Sequence, residues 1–181
     1  MLLNSETWIN LSEQNVLDLE ETDRLLLRRI LGAPISTGIP SLYLELGCIP
    51  VRFILKGRRI MFLNYILNCN ENETIQKVFW AQVKDPVSNE WSSTVREDLE
   101  CLGLDRFSIE EIGTIKKNKL KDLVRKACKE TAFQYLKSQI QDKNMTKLKN
   151  LKYDKLEMQE YLKCQNLSLK KKQTLFKART R

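Results

Sequence analysis

The segment VRFILKGRRIMFLNYIL, from Val51 to Leu67, carries apolar residues on nearly every side of a helix. Pro50 precedes it, and proline is favoured in the first turn of a helix, where its missing N–H is not needed. A helix that is apolar on all sides is buried among other elements. The segment therefore predicts a central helix, around which the rest of the chain packs.

Three basic residues interrupt this apolar surface. Arg52, Lys56 and Arg59 follow at intervals of four and three residues, so they project from one stripe of the helix. We call these three residues the basic seam. Two uses of the seam stay open, because its cations could form internal salt bridges or could contact phosphate groups.

The sequence before and after this helix carries signals for helix starts and stops. Ser12 is expected to cap a helix that ends at Gly32, with acidic residues early and basic residues late. A short helix is expected between residues 40 and 47. Ser108 and Glu111 have the spacing of a capping box, in which each residue bonds the backbone of the other.

Further helices are expected after the central helix. One helix must end before Pro86, because the residue before a proline is pushed out of the helical region. The longest is expected over 114–142, and another over 156–162. Residues 167–181 could dock as an amphipathic helix or stay disordered. Only Met1–Ile9 has the alternation of a possible strand, so the expected fold is mainly α, a multi-helix, bundle-like domain with a basic helical C-terminal extension.

Charge divides the chain into two regions of opposite sign. Residues 1–112 contain 11 Lys and Arg against 17 Asp and Glu, a net charge of −6. Residues 113–181 contain 20 against 6, a net charge of +14. The composition thus predicts an acidic helical body over 1–112 and a basic helical region over 113–181.

The basic region has three possible uses. It could bind RNA or DNA, since lysine and arginine release the counterions condensed on a nucleic acid backbone. It could instead be a solvated helix surface, or meet an acidic protein or membrane surface. Nucleic acid is the interpretation that we carry forward. The candidate nucleic-acid-binding residues are Lys116, Lys117, Lys119, Lys121, Arg125, Lys126, Lys129, Lys170, Lys171, Lys172, Lys177, Arg179 and Arg181, together with Arg52, Lys56 and Arg59 of the basic seam.

Residue usage argues against catalysis. Histidine is absent, which removes nucleophile pairs with histidine and the usual zinc ligand sets. The six glycines are scattered singly, so no glycine-rich phosphate loop is present. No paired aspartates occur that could hold the two metal ions of a polymerase. We therefore expect a protein that is not an enzyme, with no cofactor and no metal site.

The expected location is inside the cell, in the nucleus or the cytoplasm. The first ten residues lack the basic and apolar regions of a secretory signal. No apolar run approaches the length of about 18 residues that a membrane span needs, so no membrane partner is expected. The five cysteines are odd in number and widely spaced, which favours reduced and mostly buried thiols.

Several stretches resemble one family of proteins. Residues 25–67, LLLRRILGAPISTGIPSLYLELGCIPVRFILKGRRIMFLNYIL, resemble the segment just after the palm of reverse transcriptases from non-LTR retrotransposons. The opening MLLNSETWINLS resembles the entry into the thumb of these enzymes, and residues 85–91 resemble a linker of theirs. LSLKKKQTLFKARTR, at 167–181, resembles the short basic helix that such elements carry before a Cys/His cluster.

The resemblance implies a thumb and post-thumb scaffold that grips a template-primer duplex, which can be an RNA–DNA hybrid. It also implies a second partner, the palm domain of a reverse transcriptase. The family's aspartate-bearing catalytic motif has no counterpart here, so its polymerase activity does not transfer. A truncated copy of such an element is the expectation.

Two alternatives to nucleic acid binding stay open. The chain could be a protein-interaction scaffold that packs against a polymerase domain, which exposed apolar surface over Val51–Leu67 would favour. It could also be a relic of the element without a function.

Overall fold

The computed structural model describes residues 2–9, 11–85, 87, 90–142 and 153–180. Within these residues the chain forms nine α-helices and no strand, which confirms the mainly α fold class. A 3-10 turn at Ser5–Thr7 takes the place of the possible strand at Met1–Ile9, so that prediction was wrong. The helices are α1 (Glu13–Leu31), α2 (Ile39–Leu46), α3 (Val51–Leu67), α4 (Thr74–Lys84), α5 (Trp91–Cys101), α6 (Ile109–Thr114), α7 (Lys117–Asp142), α8 (Glu160–Lys163) and α9 (Leu169–Thr180).

The chain folds into two compact units, and neither is continuous in sequence. The first unit comprises Met1–Asn15 and Arg52–Cys128, and the second comprises Val16–Val51 and Lys129–Arg181. The change of net charge at residues 112 and 113 falls inside the first unit. Charge and packing therefore divide this chain at different places.

Helix α3 forms the apolar centre of the first unit, as its sequence predicts. Ile60 and Leu63 are fully buried, and of residues 52–67 only Arg58 and Tyr65 are exposed. The ring of Phe62 meets that of Trp91 edge-on, with 5.6 Å between the ring centroids. Aromatic packing of this kind adds to the stabilisation from burial alone.

The two tryptophans of α4 and α5 are joined through a third ring. Phe79 lies 5.3 Å from Trp80 and 6.0 Å from Trp91, measured between ring centroids. Phe79 is almost completely buried. These aromatic residues therefore belong to the core of the first unit.

Local capping fixes several helix ends. Ser12 Oγ accepts a hydrogen bond from the backbone N–H of Asn15 at the start of α1. At the start of α6 the capping box is complete, because Ser108 Oγ and the Glu111 carboxylate each accept from the backbone of the other residue. Gly32 takes the left-handed conformation, with φ of 60°, directly after α1. These helix signals in the sequence are thus confirmed.

The second unit is built on α2, a short helix whose residues 40–46 are all buried. Gly47 ends it in the left-handed conformation, and a Cβ atom there would lie 2.2 Å from the backbone nitrogen of Met158. Met158 also pairs with Leu46 in an isolated antiparallel bridge, and the Gln159 N–H donates to the Glu45 carbonyl at 3.0 Å. This pairing holds residues 157–159 extended. The helix predicted over 156–162 therefore begins only at Glu160.

Helix α9 docks in the second unit through Phe176, which is fully buried. The Gln173 side-chain amide donates to the carbonyl of Ile30 at 3.2 Å, at the end of α1. Of the two possibilities for the C-terminal segment, the structure thus shows the docked helix.

Candidate nucleic-acid interface

The first half of α7 turns an apolar face inward and a basic face outward. Leu120 and Val124 are buried, and Cys128 Sγ donates to the carbonyl of Phe53 at 3.3 Å. Gly57 of α3 allows this close approach, because a Cβ atom there would lie 2.9 Å from Cys128 Sγ. The packing of α3 on α7 therefore fixes which side of α7 faces solvent.

Six of the predicted binding residues are exposed at the start of α7 and along its first half. They form the α7 strip, which consists of Lys116, Lys117, Lys119, Lys121, Arg125 and Lys126. Over residues 116–126 the strip spans about 15 Å at a helical rise of about 1.5 Å per residue. Lys129, which the prediction also included, is half-buried and begins the part of α7 assigned to the second unit.

The cations of the α7 strip are mostly without acidic partners in the fold. Lys116, Lys117, Lys119, Lys121 and Arg125 form no ion pair with a carboxylate among the residues that the structure describes. Exposed ammonium and guanidinium groups of this kind keep their donors available to an external anion.

The strip begins at the amino end of α7, where cations are electrostatically unfavourable. The helix dipole places partial positive charge there, and three lysines within four residues add to it. A polyanion would relieve the accumulated positive charge.

Asn64 of α3 holds the segment before α7 in place. Its side-chain amide donates to the carbonyls of Ile112 at 2.8 Å and Ile115 at 3.2 Å.

The longest helix begins later than predicted. Ile115 has extended backbone angles, so α6 and α7 are separate helices and α7 starts at Lys117. The side-chain amide of Asn68, directly after α3, donates to the carbonyl of Gly113 at 3.1 Å and so holds the end of α6 near this break.

The basic seam of α3 is neutralised inside the first unit. Arg52 pairs with Glu13 at 2.9 Å, and Lys56 pairs with Asp98 at 3.0 Å. Arg59 is buried and holds both Asp98 oxygens, at 2.5 and 3.0 Å. Of the two alternatives for the seam, internal ion pairing is therefore the one that the structure shows. Arg59, a predicted binding residue, is therefore directed into the first unit and not toward solvent.

Arg58 and Arg59 also hold the amino-terminal segment. Arg58 donates to the carbonyl of Leu2 and to Ser5 Oγ, and Arg59 donates to the carbonyl of Trp8 at 3.3 Å. The indole N–H of Trp91 donates to the carbonyl of Glu6 at 2.9 Å. These arginines thus satisfy backbone carbonyls within the first unit.

The basic residues of α9 divide into two groups. Lys170 and Lys171 are exposed. Lys172 donates to the carbonyl of Leu162 at 2.7 Å, and Lys177 is half-buried. Arg181, another predicted binding residue, lies outside the described residues.

Arg179 is bound to a buried carboxylate that the sequence did not reveal. Glu45 is fully buried on α2 and accepts hydrogen bonds from Tyr153 at 2.5 Å, Tyr161 at 2.7 Å and Arg179 Nε at 2.8 Å. We call these four residues the Glu45 cluster. Burial, together with the adjacent carboxylate, raises the pKa of both tyrosines well above its usual range, so that the phenols stay protonated and donate.

The Glu45 cluster connects residues 108 to 134 positions apart in the chain. No local pattern signals such a contact. The only hint is a lone acidic residue on a helix whose other positions are apolar or small, since a buried carboxylate needs donors.

Two other kinds of feature are absent from the described residues. They contain no group of three or more His, Cys, Asp and Glu side chains that could hold a metal ion. Among them no helix combines the length and the apolar character that crossing a membrane requires.

All five cysteines are free thiols. Only Cys128 is buried, while Cys101 and Cys164 are exposed, so the expectation of mostly buried cysteines was wrong. Cys101 lies at the end of α5 and Cys164 directly after α8, where helix ends meet solvent.

The chain was compared with protein-family models, with curated proteins and with solved structures, and none of them matches it.

Proposed function

We propose that this chain is a non-catalytic module that binds the sugar-phosphate backbone of nucleic acid, without sequence specificity, through the α7 strip. The supporting observation is the contrast between two sets of cations. The three cations of the basic seam are used in internal ion pairs, whereas five of the six in the α7 strip are exposed and have no carboxylate partner among the described residues. Cations that the fold leaves unneutralised are suited to phosphate contacts.

The expected binding is independent of sequence because of the chemistry of the strip. Lysine is a compact point charge that meets phosphate from many directions, and all but one of the residues in the strip are lysines. Phosphate contacts position a protein on a nucleic acid but carry no base information.

The experiment is a titration of the full chain into labelled single-stranded RNA, duplex DNA and RNA–DNA hybrid at low salt. Substituting Lys117, Lys121 and Arg125 together by alanine should weaken binding about tenfold or more, and by the same factor for unrelated sequences. The absence of binding to all three ligands at low salt would refute the proposal.

A matched control removes the same charge from another exposed surface of the first unit. Lys77 and Lys84 on α4 and Arg96 on α5 are exposed, and they are again two lysines and one arginine. Their replacement by alanine should change the affinity by less than about twofold. If both triple variants lose the same affinity, net charge and not the α7 strip determines binding.

We further propose that the module derives from a non-LTR retrotransposon reverse transcriptase and belongs beside its palm domain. The support is the resemblance of residues 25–67 and of the flanking stretches at 1–12, 85–91 and 167–181. The DNA upstream of the coding sequence should encode an open frame with a paired-aspartate polymerase motif. An upstream region without such a frame would contradict this origin.

Helix α3 does not expose the apolar surface that would favour the interaction scaffold. Within residues 52–67 of α3 only Arg58 and Tyr65 are exposed, and all other residues are buried or half-buried. Tyr65 is thus the one exposed aromatic or aliphatic side chain in that range. The α7 strip therefore supports nucleic acid binding as the leading function.

A further inference from the structure

Helix α1 exposes three large apolar side chains next to one another in the second unit. Leu25, Leu26 and Ile30 are 52%, 56% and 44% exposed, whereas Leu27 and Leu31 are buried. Leu26 and Ile30 lie one turn apart, and Leu25 adjoins Leu26 about 100° round the helix. Exposed apolar residues scattered singly need no explanation, but adjoining ones are typical of a contact surface.

Charged residues flank this cluster in a regular order. Glu21, Leu25 and Arg29 follow at intervals of four residues, so they share one stripe of α1, with about 12 Å between the first and the last. The stripe therefore reads acid, apolar, base along the helix.

Both charges of the stripe remain available to a partner. The Glu21 side chain is 58% exposed and lies 3.6 Å from Arg24, which binds Glu20 more closely, at 2.8 Å. Arg29 is exposed and forms no ion pair among the described residues.

We propose that the exposed face of α1 pairs with α1 of a second copy of this chain, antiparallel, about a two-fold axis at Leu25. In that arrangement Glu21 of each copy faces Arg29 of the other, and the two Leu25 side chains meet between the two ion pairs. A parallel pairing would set Glu21 against Glu21 and Arg29 against Arg29. The stripe is thus self-complementary under two-fold symmetry, which a contact between identical surfaces requires.

The interface is small. Two helices that meet over two to three turns bury less than the roughly 1,200 Å² at which standard interfaces begin. We therefore expect a weak dimer, with a dissociation constant of about 10 to 100 µM. The inference does not depend on the proposed nucleic acid binding.

Sedimentation equilibrium of the full, nuclease-treated chain tests the pairing. The wild-type chain should dimerise with rising concentration. Glu21→Arg and Arg29→Glu should each weaken the dimer about tenfold or more, because each change turns two attractive pairs into two repulsive ones. An equimolar mixture of the two variants, and the double variant Glu21→Arg/Arg29→Glu, should recover the wild-type association, since both restore opposite charges.

A matched pair of apolar substitutions tests the centre of the interface. Leu25→Asp should abolish the dimer, whereas Val78→Asp, at a position on α4 that is also 52% exposed, should leave it intact. Circular dichroism verifies that each variant is folded.

Three results would overturn the proposal. The wild-type chain could stay monomeric up to several hundred micromolar, well above the expected dissociation constant of about 100 µM at most. A dimer could form that tolerates Leu25→Asp or either charge reversal. The mixture of the two reversed variants could fail to associate.

Discussion

At the scale of single residues, Glu45 joins parts of the second unit that are far apart in the chain. Its carboxylate is fully buried and accepts from three side chains that lie more than 100 residues away in the chain. A buried carboxylate without donors is strongly unfavourable, so donors and acceptor depend on one another.

Glu45→Gln should therefore lower the free energy of unfolding by about 2 to 3 kcal/mol, less than for a fully buried ion pair because Arg179 is partly exposed. Tyr161→Phe, which removes one donor, should lower it by about 1 kcal/mol. Urea unfolding followed by circular dichroism measures both. Glu160→Gln makes the same chemical change at an exposed carboxylate and should leave the unfolding curve unchanged. A Glu45→Gln variant that unfolds at the wild-type urea concentration would contradict the role of the cluster.

The cysteines provide a second prediction at this scale. Burial raises the pKa of Cys128 to about 11, and the thiolate is the reactive form. Iodoacetamide at about pH 8 should therefore modify Cys101 and Cys164 quickly and Cys128 slowly, whereas in urea all should react alike. Peptide mass spectrometry gives the rate for each residue. Equal rates of modification for Cys101 and Cys128 in the folded protein would contradict the prediction. They would mean that α7 separates from α3 often enough to expose Cys128.

Sequence reasoning at the residue scale succeeded with charge and failed with partners. The exposure of most basic residues of α7 was predictable, because apolar residues at a helical period take the buried positions. The internal ion pairs of Arg59 and Arg179 were not predictable. Arg59 binds Asp98 and Arg179 binds Glu45, and both carboxylates are distant in sequence. A local pattern contains no information on such pairs.

At the scale of elements, helix ends were predictable where local chemistry decides them. The caps at Ser12 and Ser108 and the stops at Gly32 and Gly47 follow from short-range hydrogen bonds and from backbone conformation. The start of α8 did not follow the apolar period. Its preceding residues are held extended by Leu46 and Glu45, which is a tertiary effect.

A comparison of Gly47 with Gly103 distinguishes the energetic cost of backbone strain from the cost of a steric clash. Gly47 and Gly103 have nearly the same φ, 64° and 63°, but nothing lies within 4 Å of a Cβ atom at Gly103. Gly103→Ala should therefore cost only the strain of the left-handed conformation, about 1 kcal/mol. Gly47→Ala should cost clearly more, because the backbone of residues 157 and 158 must move.

Urea unfolding compares the two variants, and limited trypsin digestion reports on the segment after residue 153. Only Gly47→Ala should increase cleavage at Lys163 and Lys170. Equal losses of stability and equal cleavage would contradict the close packing of residues 157–158 on α2.

At the scale of the whole molecule, net charge alone predicts little about binding. The chain carries a net charge of +8, yet Arg52, Lys56, Arg59 and Arg179 are occupied by carboxylates of the fold. The fold thus sorts its cations into internal and external groups. The external group includes the α7 strip, and the proposed function depends on its access to phosphate.

The most direct test is the salt dependence of binding to duplex DNA, measured for the wild type and for the two triple variants. The logarithm of the affinity falls linearly with the logarithm of salt concentration, with a slope of about 0.9 per phosphate contact. Replacing Lys117, Lys121 and Arg125 by alanine should reduce that slope by about 2 to 3, and replacing Lys77, Lys84 and Arg96 should leave it unchanged. A slope that stays the same in the first variant, or that falls equally in both, would contradict backbone binding by the α7 strip.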